Sequence, residues 1–333
     1  MNDIKYALLN SKIFTGPMTP NFIDSLILFA NDHHKYFTFI PSRRQIDYNG
    51  GYVGNFTTES FANYVKLKTK YVMIERDHGG PSQGTNYDDG LVSFEKDCEN
   101  FHCIHIDPWK EFQDIYAGIN KTIQLIKYCY ELNPYIFYEI STEEAIRPLT
   151  CDNIYLLLNT CKTELRPEIF KQILFCVIQS GTSLKDGVNT GNFSLQKQLD
   201  MLKVVHSFGL HAKEHNGDFL TIDDIKNRFN NNLDALNIAP EFGIIETKFL
   251  LEHMKDKPDL IEEFFNICYK SKKWVKWVSP GFNPFENKLE LITICGHYVF
   301  NYPEFLSLKS KLSDNIDHLI KQHHYNYLSK YLF

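Results

Sequence analysis

Seven short apolar runs alternate with segments of helical periodicity along most of this chain. Each run has about six or seven residues and is rich in isoleucine, valine, phenylalanine and tyrosine, which is typical of buried parallel strands. Their starts lie roughly 25 to 40 residues apart, the length of one strand–helix unit. The runs occupy residues 35–41, 71–77, 101–107, 135–141, 173–179, 210–216 and 235–241.

The segments between the runs carry the signals of helices. Thr57, Thr150 and Thr221 precede such segments and predict helix starts, because a threonine hydroxyl caps the first turn. The isoleucines between the third and fourth runs are spaced three or four residues apart and form one apolar stripe. Strands therefore alternate with helices, as in a repeated βα fold.

The fold class predicted from this alternation is an α/β (β/α)8 TIM barrel with extra C-terminal helices. Residues 289–294 are the candidate for an eighth strand. The same count also fits an open, doubly wound sheet. Polar residues at the end of nearly every run favour the barrel, because strand ends converge on one rim there. No GxGxxG or GxxxxGK[ST] follows a run, which disfavours nucleotide binding.

The boundaries predicted from this pattern give a single barrel domain over residues 1–333. Residues 1–34 are a helical lead-in, whose segment 21–31 flanks the bottom of the barrel. Residues 35–247 form the core βα units, and residues 248–333 form a helical closing segment. Within that segment, residues 270–288 (KSKKWVKWVSPGFNPFENK) are an irregular connection rich in basic and aromatic residues.

Composition narrows the class of protein. The 333 residues are 43% hydrophobic, enough for a large core, and the net charge of −6 gives no support for a nucleic-acid or anionic-membrane partner. No apolar run approaches the roughly 20 residues that span a bilayer, and the first residues lack the pattern of a signal peptide. Eight cysteines without a CxxC pair predict a reduced, cytoplasmic protein and disfavour a cysteine zinc site.

The first candidate for chemistry is the end of the run YVMIERDHGGP, at Asp77 and His78. Histidine is a common ligand of divalent metals, and an adjacent carboxylate serves as an acid/base group or orients the ligand. The alternative is structural: Asp77 caps the turn and His78 forms a local hydrogen bond.

Three further run ends carry polar groups. His105 and Asp107 lie two residues apart and share one side of a strand, either inside the barrel or against a helix. Asp107 is predicted at the rim, whereas mid-strand His105 is more typical of a core residue. One of Glu139, Glu143 and Glu144 is expected near the centre of the site, although Glu143 and Glu144 also suit the acidic first turn of a helix. Gln179 occupies the next rim position, although an ordinary βα turn uses the same residues.

Two segments offer basic groups. In HAKEHNGD, alternation places Lys213 and His215 on one side, so that His215 completes a metal site with His78. Lys213 is alternatively a Schiff-base lysine, and a solvated charged turn is the structural alternative. After the first run, Arg43 and Arg44 suit a phosphate or carboxylate group. A flexible surface loop is equally consistent with them.

The order of these motifs resembles the tagatose-bisphosphate aldolase accessory-subunit family (GatZ/KbaZ type) over residues 39–251. The resemblance rests on Gln45 with GGYVGNFTTESFANYV, DHGGP (77–81), CIHID (103–107), STE (141–143), VIQSG (177–181), HNGD (215–218) and LNIAPEFGIIET (236–247). The sequence departs from the family at Gly80, Ser141 and Ser180, where a bulky residue, a glycine and a proline are usual. These changes line the expected pocket and indicate a different sugar.

The resemblance implies a barrel related to class II, metal-dependent sugar-phosphate aldolases. Some members are described as non-catalytic partners of a separate aldolase subunit, and other relatives epimerise keto-sugar acids. The resemblance makes six residues stronger candidates for a functional role than their neighbours: Asp77, His78, Asp107, Glu143, His215 and Asp218.

The residues and the resemblance together predict a metal-dependent aldolase or epimerase that acts on a sugar or sugar phosphate, with zinc as the expected metal. The alternative is a non-catalytic accessory subunit that stabilises a class II aldolase. The expected partner chain is a second copy of this protein or the catalytic subunit of a class II aldolase. The site residues predicted are His78, His215 and Glu143 as metal ligands, Asp77, Glu143 and Asp218 as catalytic groups, and Arg43, Arg44, Gln45, Asp107, Gln179, Lys213 and Glu241 as substrate-binding groups.

Overall fold

The computed structural model of the chain describes residues 2–112, 114–141, 150–185 and 188–332. Eight parallel strands form a closed barrel in which each strand pairs with the next along the chain, and the last pairs with the first. The strands are β1 (Ile13–Thr15), β2 (Phe37–Phe39), β3 (Val72–Gly79), β4 (Cys103–Ile106), β5 (Phe137–Ile140), β6 (Ile173–Ile178), β7 (His211–Glu214) and β8 (Ala235–Ile238). The predicted (β/α)8 barrel is confirmed.

Helices surround this barrel and extend beyond it at the C-terminal side. They are α1 (Asn2–Asn10), α2 (Pro20–His33), α3 (Thr58–Lys68), α4 (Leu91–Asn100), α5 (Ile115–Leu132), α6 (Cys151–Glu164), α7 (Pro167–Phe170), α8 (Leu195–Ser207), α9 (Ile222–Asn230), α10 (Pro240–Met254), α11 (Pro258–Ser271), α12 (Lys288–Cys295), α13 (Pro303–Lys309) and α14 (Ile316–Leu328). Thr57, Thr150 and Thr221 cap α3, α6 and α9 through their hydroxyls, as predicted. None of the described helices is long and apolar enough to cross a membrane.

Two expectations about the strands were wrong. Residues 289–294 lie in helix α12, and the remaining barrel strand is β1, within the segment expected to be a helical lead-in. Only three residues of β1 pair in the barrel, which is too short a run for the alternation of apolar positions to identify. The run at 289–294 is rich in β-branched residues, but it packs as a helix among the other C-terminal helices.

Helix α1 closes the bottom of the barrel. Its Ala7 and Leu8 are buried against apolar side chains at the amino-terminal ends of the strands, including Met73, Cys103 and Phe137. Helix α2, which the sequence placed at the barrel bottom, follows β1 as an outer helix and packs against α14. The lower half of the interior is therefore filled with apolar groups, which leaves the carboxyl-end rim for chemistry.

Candidate active site

Polar pairs line the upper half of the barrel interior on four strands. Alternation along a strand keeps residues two apart on the same side. On these strands the interior residues are apolar near the strand start and polar near its end. These interior pairs are Glu75 and Asp77, His105 and Asp107, Glu139 and Ser141, and Lys213 and His215. His105 and Glu139 are direct neighbours in the pairing of β4 with β5.

The end of β3 departs from regular strand geometry at His78. The pairing of β3 with β4 shifts between Arg76 and Gly79, and His78 has a left-handed backbone with φ of 48°. Adjacent residues of a regular strand face opposite sides, so this irregularity is what turns both Asp77 and His78 toward the barrel mouth. A left-handed histidine is strained, and such strain is concentrated at functional sites.

Asp77, His78, His105 and His215 form one compact cluster. One ligand atom from each residue lies within 4.8 Å of the others. The ring centroids are 4.9 Å apart for His78 and His105, 5.5 Å for His78 and His215, and 5.3 Å for His105 and His215. Three imidazoles around one point are the ligand set of a divalent transition metal.

The electrostatics of the cluster fit a bound cation. Burial, with His78 and Lys213 nearby, holds the pKa of His215 well below its usual value, and burial does the same for His105, so both rings are neutral and able to ligate. Burial raises the pKa of Asp77, whose Oδ1 accepts no hydrogen bond from the described residues. His105 Nδ1 is also buried without a hydrogen bond from this part of the chain.

The charge balance of the barrel interior also fits a bound cation. Four buried or half-buried carboxyl groups of the described residues surround the histidines, whereas Lys213 supplies one ammonium group. The four are Glu75, Asp77, Asp107 and Glu139. Buried charges require partners, so a cation at the cluster would offset the excess of carboxylates. The residues present therefore fit a divalent metal.

Asp107 orients His78. The two side chains meet at 2.6 Å between Asp107 Oδ2 and His78 Nδ1, and Gln83 Nε2 donates to the same oxygen at 2.7 Å. The Trp109 backbone N–H donates to the other carboxylate oxygen at 3.2 Å. A carboxylate on the far nitrogen of a ligating imidazole fixes its tautomer and orientation. The structure thus places Asp107 behind His78, and its expected contact with substrate stays a prediction.

Glu139 and Lys213 form the layer beneath the histidines. His215 Nε2 lies 2.8 Å from Glu139 Oε1, and His105 Nδ1 is 3.4 Å from the same oxygen. Lys213 Nζ contacts both Glu139 and Glu75, the latter at 2.6 Å, and lies 4.0 Å from the centre of the Phe14 ring. A fully buried ammonium group held by two carboxylates is unsuited to a Schiff base, which requires a neutral, accessible amine.

The predicted arginine pair divides into two roles. Arg43 is buried and bonded to protein groups: its Nε contacts Asp47 at 2.9 Å, its Nη atoms contact Asp88, and Nη1 donates to Gly80 O. Arg44 is exposed at the rim, where Nε donates to Gly84 O at 3.4 Å. Arg44 is therefore the arginine available to a ligand. Gln45 is buried and donates to Met18 Sδ.

Asp218 and Glu241 meet each other, and no described contact joins either of them to the three histidines. Asp218 Oδ1 accepts from the backbone N–H groups of Ala239 and Glu241 at 2.9 and 2.8 Å. Glu241 accepts from Phe219 N and contacts Lys330, which follows α14. Burial beside Glu241 raises the pKa of Asp218 to about 8. These contacts connect the β7 loop to the helices after β8.

Two predicted residues stay untested by these contacts. Gln179 is buried at the end of β6, and no described contact joins it to the histidine cluster. Glu143 lies outside the described residues. On β2 and β8, which pair with β3 and β7, the interior positions of Thr38 and Asn237 carry side-chain atoms buried without a hydrogen bond to any described residue. These atoms are available to the hydroxyl groups of a ligand or to water.

The sequence ranked His105 below its neighbours, gave Glu139 only as one of three alternative glutamates, and did not indicate Glu75 or Asn237. The signal that identifies them is the interior alternation shared by neighbouring strands. Once Asp77 and His215 are assigned to the interior, the residues two positions earlier, Glu75 and Lys213, face it as well. His105 follows from Asp107 by the same rule.

The closed eight-stranded barrel with an acid and three histidines at its carboxyl-end rim defines the class of the fold: a TIM-barrel protein. No protein-family model matches the sequence, and no curated protein sequence matches it significantly. Solved structures do match in fold. A probable tagatose 6 phosphate kinase from Sinorhizobium meliloti 1021 superposes with a TM-score of 0.76 at 13% identity, over 96% of this chain and 93% of that one.

Two further structures carry the same fold. The YdjI aldolase from Escherichia coli K12 has a TM-score of 0.58 at 11% identity, covering 99% of this chain and 94% of that one. The native fructuronate-tagaturonate epimerase UxaE from Cohnella laeviribosi has a TM-score of 0.61 at 10% identity, covering 96% and 81%. These neighbours support the GatZ/KbaZ-like resemblance of the sequence at the level of the fold.

Proposed function

We propose that this protein is a divalent-metal-dependent aldolase or epimerase acting on a keto-sugar or its phosphate. The observation that carries the proposal is the cluster of His78, His105 and His215 with Asp77 at the barrel mouth. A decayed site, as in a purely accessory subunit, would not need to keep three imidazoles beside a buried carboxylate oxygen that accepts no hydrogen bond from the described residues. The folds of the aldolase and epimerase neighbours agree with this choice.

The three histidines would hold the metal, with Asp107 and Glu139 orienting two of the rings. Nitrogen ligands favour zinc among the metals common in such sites. When bound, a divalent cation supplies Lewis-acid polarisation of a substrate carbonyl. This assignment adds His105 to the predicted pair and leaves Glu143 as a further candidate ligand.

Asp77 is the acid/base group of the proposed reaction. Its raised pKa and its buried Oδ1, which accepts no hydrogen bond from the described residues, suit a carboxylate that takes up and returns a proton. In aldol cleavage Asp77 takes the proton of the hydroxyl group β to the carbonyl while the intervening C–C bond breaks. In epimerisation it takes the proton from the carbon next to the carbonyl. Thr38 and Asn237, on the neighbouring strands β2 and β8, hold substrate hydroxyl groups.

Metal content tests the proposal directly. Gently purified protein is expected to carry about one zinc or manganese per chain by elemental analysis, and His105→Ala is expected to lose it, as is His78→Ala. His318→Ala, which removes an exposed histidine of α14, is the matched control and is expected to keep the metal. Retention of metal in both cluster variants, or no metal in the parent protein after zinc is supplied, contradicts the proposal and favours the accessory role.

A further inference from the structure

The candidate metal ligand His215 lies just beyond the part of β7 that the neighbouring strands hold. The pairing of β7 with β6 ends at Glu214, opposite Ile178, and its pairing with β8 ends at Glu214, opposite Leu236. The residue after His215, Asn216, has a left-handed backbone with φ of 58°, so the chain turns away from the strand direction there. Because the strand pairing does not reach His215, its backbone depends on other contacts for a fixed position.

Two side chains of the loop after β6 supply such contacts. Thr182 is buried, and its Oγ1 donates to the backbone carbonyl oxygen of His215 at 2.6 Å. Asn189 Nδ2 donates to the backbone carbonyl oxygens of Asn216 and Asp218 at 2.9 and 3.0 Å. Three carbonyl groups of the loop after β7 are therefore held by two side chains from the preceding βα loop.

The loop after β6 is folded as a hairpin, and this fold fixes the direction of the Asn189 amide. Residues 184–185 pair antiparallel with residues 188–189. Asn189 Oδ1 accepts from the backbone N–H of Gly191 at 3.2 Å within the hairpin. The amide NH2 group, which has two donors, is thereby directed out of the hairpin toward the loop after β7. Both ends of the amide are satisfied in this one orientation.

The base of the hairpin is anchored to β7 itself. The backbone N–H and the Oγ of Ser180 both donate to Glu214 Oε1, at 2.7 and 2.6 Å, and Arg228 Nε donates to Glu214 Oε2 at 2.9 Å. The Ser194 N–H donates to Ser180 O at 2.8 Å and closes the base. The Arg228 guanidinium carbon also lies 4.2 Å from the centre of the Phe193 ring. A hairpin fixed at its base holds its side chains at a constant place relative to the end of β7.

We infer that Asn189 and Thr182 are positioning residues for His215 as a metal ligand. The inference rests on the proposed function for the metal itself. Glu139 orients the His215 ring, whereas Thr182 and Asn189 fix the backbone from which that ring projects. Neither side chain has a described contact with an imidazole of the cluster, so both act through the backbone. A functional group has to be held within about 0.5 Å of its productive position, which makes these backbone contacts part of the ligand geometry.

Asn189→Asp tests the inference, because it keeps the acceptor for Gly191 and replaces the donor by an oxygen that repels two carbonyl groups. We expect the affinity for zinc to fall about tenfold, the lower end of the loss seen when support of a ligating histidine is removed. Competition with a chelator measures the affinity, and the visible spectrum of the cobalt-substituted protein reports the changed ligand geometry. Thr182→Val, which replaces the hydroxyl group by a methyl group, is expected to change both readouts in the same direction.

Asn192→Asp is the matched control, because it makes the same change at an exposed side chain of the same loop, and it is expected to match the parent in both readouts. Affinity and spectrum like those of the parent in Asn189→Asp and Thr182→Val overturn the inference, while zinc binding by the parent keeps the proposed function. A lower melting temperature of the metal-free variants with an unchanged cobalt spectrum also overturns it, since the two residues then serve folding alone. A parent protein that binds neither zinc nor cobalt overturns the proposed function, and this inference with it.

Discussion

At the scale of single residues, the site depends on carboxylates that hold imidazoles. Glu139 contacts His215 directly and lies near His105, while Glu75 shares only Lys213 with it among the described contacts. Both glutamates are fully buried on neighbouring strands of the same barrel. They therefore form a natural pair for separating an effect on the metal ligands from an effect on the barrel.

We expect Glu139→Gln to lower metal affinity by roughly 10- to 100-fold, the usual loss when a group that orients a ligating histidine is changed. The physical reason is that the amide cannot supply the negative charge that increases the basicity of the imidazole. Competition with a chelator, followed by the visible spectrum of the cobalt-substituted protein, measures the change. Glu75→Gln is expected to change the affinity much less; equal losses in the two variants would assign the effect to Lys213 instead.

At the residue scale, local sequence identifies polar residues that end or follow a strand, but it does not identify partners that are distant in the sequence. Asp77, His78 and His215 lie close together because each ends or follows a recognisable strand, and their roles stay predictions. The partners of Arg43 were not foreseeable, since Asp88 lies in the loop after another strand. Gly80 shows a further limit: its φ is 148° and an added Cβ would lie 2.5 Å from Asp107 O, so glycine is required there.

At the scale of secondary-structure elements, seven of the eight strands were predictable because each is a buried run flanked by helical periodicity. The eighth was not, because β1 is three residues long and its identity depends on pairing with β8. The segment chosen in its place, now α12, has the composition of a strand but is surrounded by helices. Tertiary packing outweighs local propensity in both cases.

One buried cluster of polar residues connects the start of α2 to α10 and α14. Glu246 of α10 accepts hydrogen bonds from Thr19, from Asn21 Nδ2 at 3.0 Å, and from His324 Nε2 at 3.1 Å. Burial opposes the ionisation of Glu246, but the contacts with His324, Thr19 and Asn21 outweigh it and lower its pKa. A carboxyl group with a lowered folded-state pKa stabilises the fold above its unfolded-state pKa, and that contribution is lost as pH falls.

We therefore expect Glu246→Gln to reduce the free energy of unfolding at pH 7 by about 2–3 kcal/mol, the scale of hydrogen bonds to a charged group. The difference from the parent protein should shrink as pH falls below the ordinary glutamate pKa of 4.5, where the parent carboxylate becomes protonated. Urea unfolding between pH 3 and pH 7 measures it. Glu252→Gln, at an exposed ion pair, is the control; a pH-independent difference for Glu246→Gln would contradict the explanation.

At the scale of the whole molecule, α14 joins the two main apolar clusters. Its Leu328 is buried in the cluster that surrounds the barrel, whereas Ile316 and Ile320 are buried among the C-terminal helices. The helix also packs on α2, where Ser25 Oγ donates to Lys321 O at 3.0 Å. Because one rigid helix belongs to both clusters, disruption of one is transmitted to the other.

We expect Ile320→Ala to destabilise the whole chain in one transition, by about 2–5 kcal/mol for a buried isoleucine. Thermal unfolding followed by far-ultraviolet circular dichroism and by tryptophan fluorescence tests this, because Trp109 lies in the barrel wall and Trp274 and Trp277 lie in the C-terminal segment. The two signals should change together and at a lower temperature than in the control Leu332→Ala. Separate transitions would show that the helical segment unfolds on its own.

The closure of the barrel has a consequence for how the chain folds. Ile13 pairs with Leu236, so the first strand gains its second neighbour only after nearly all the barrel sequence is present. Until then a growing sheet has two unpaired edges, which are sites for association between chains. Such long-range pairing slows folding, because the entropy of ordering the intervening chain is lost before the last contacts form. Barrel closure is thus expected to be a late and aggregation-sensitive step in the synthesis of this protein.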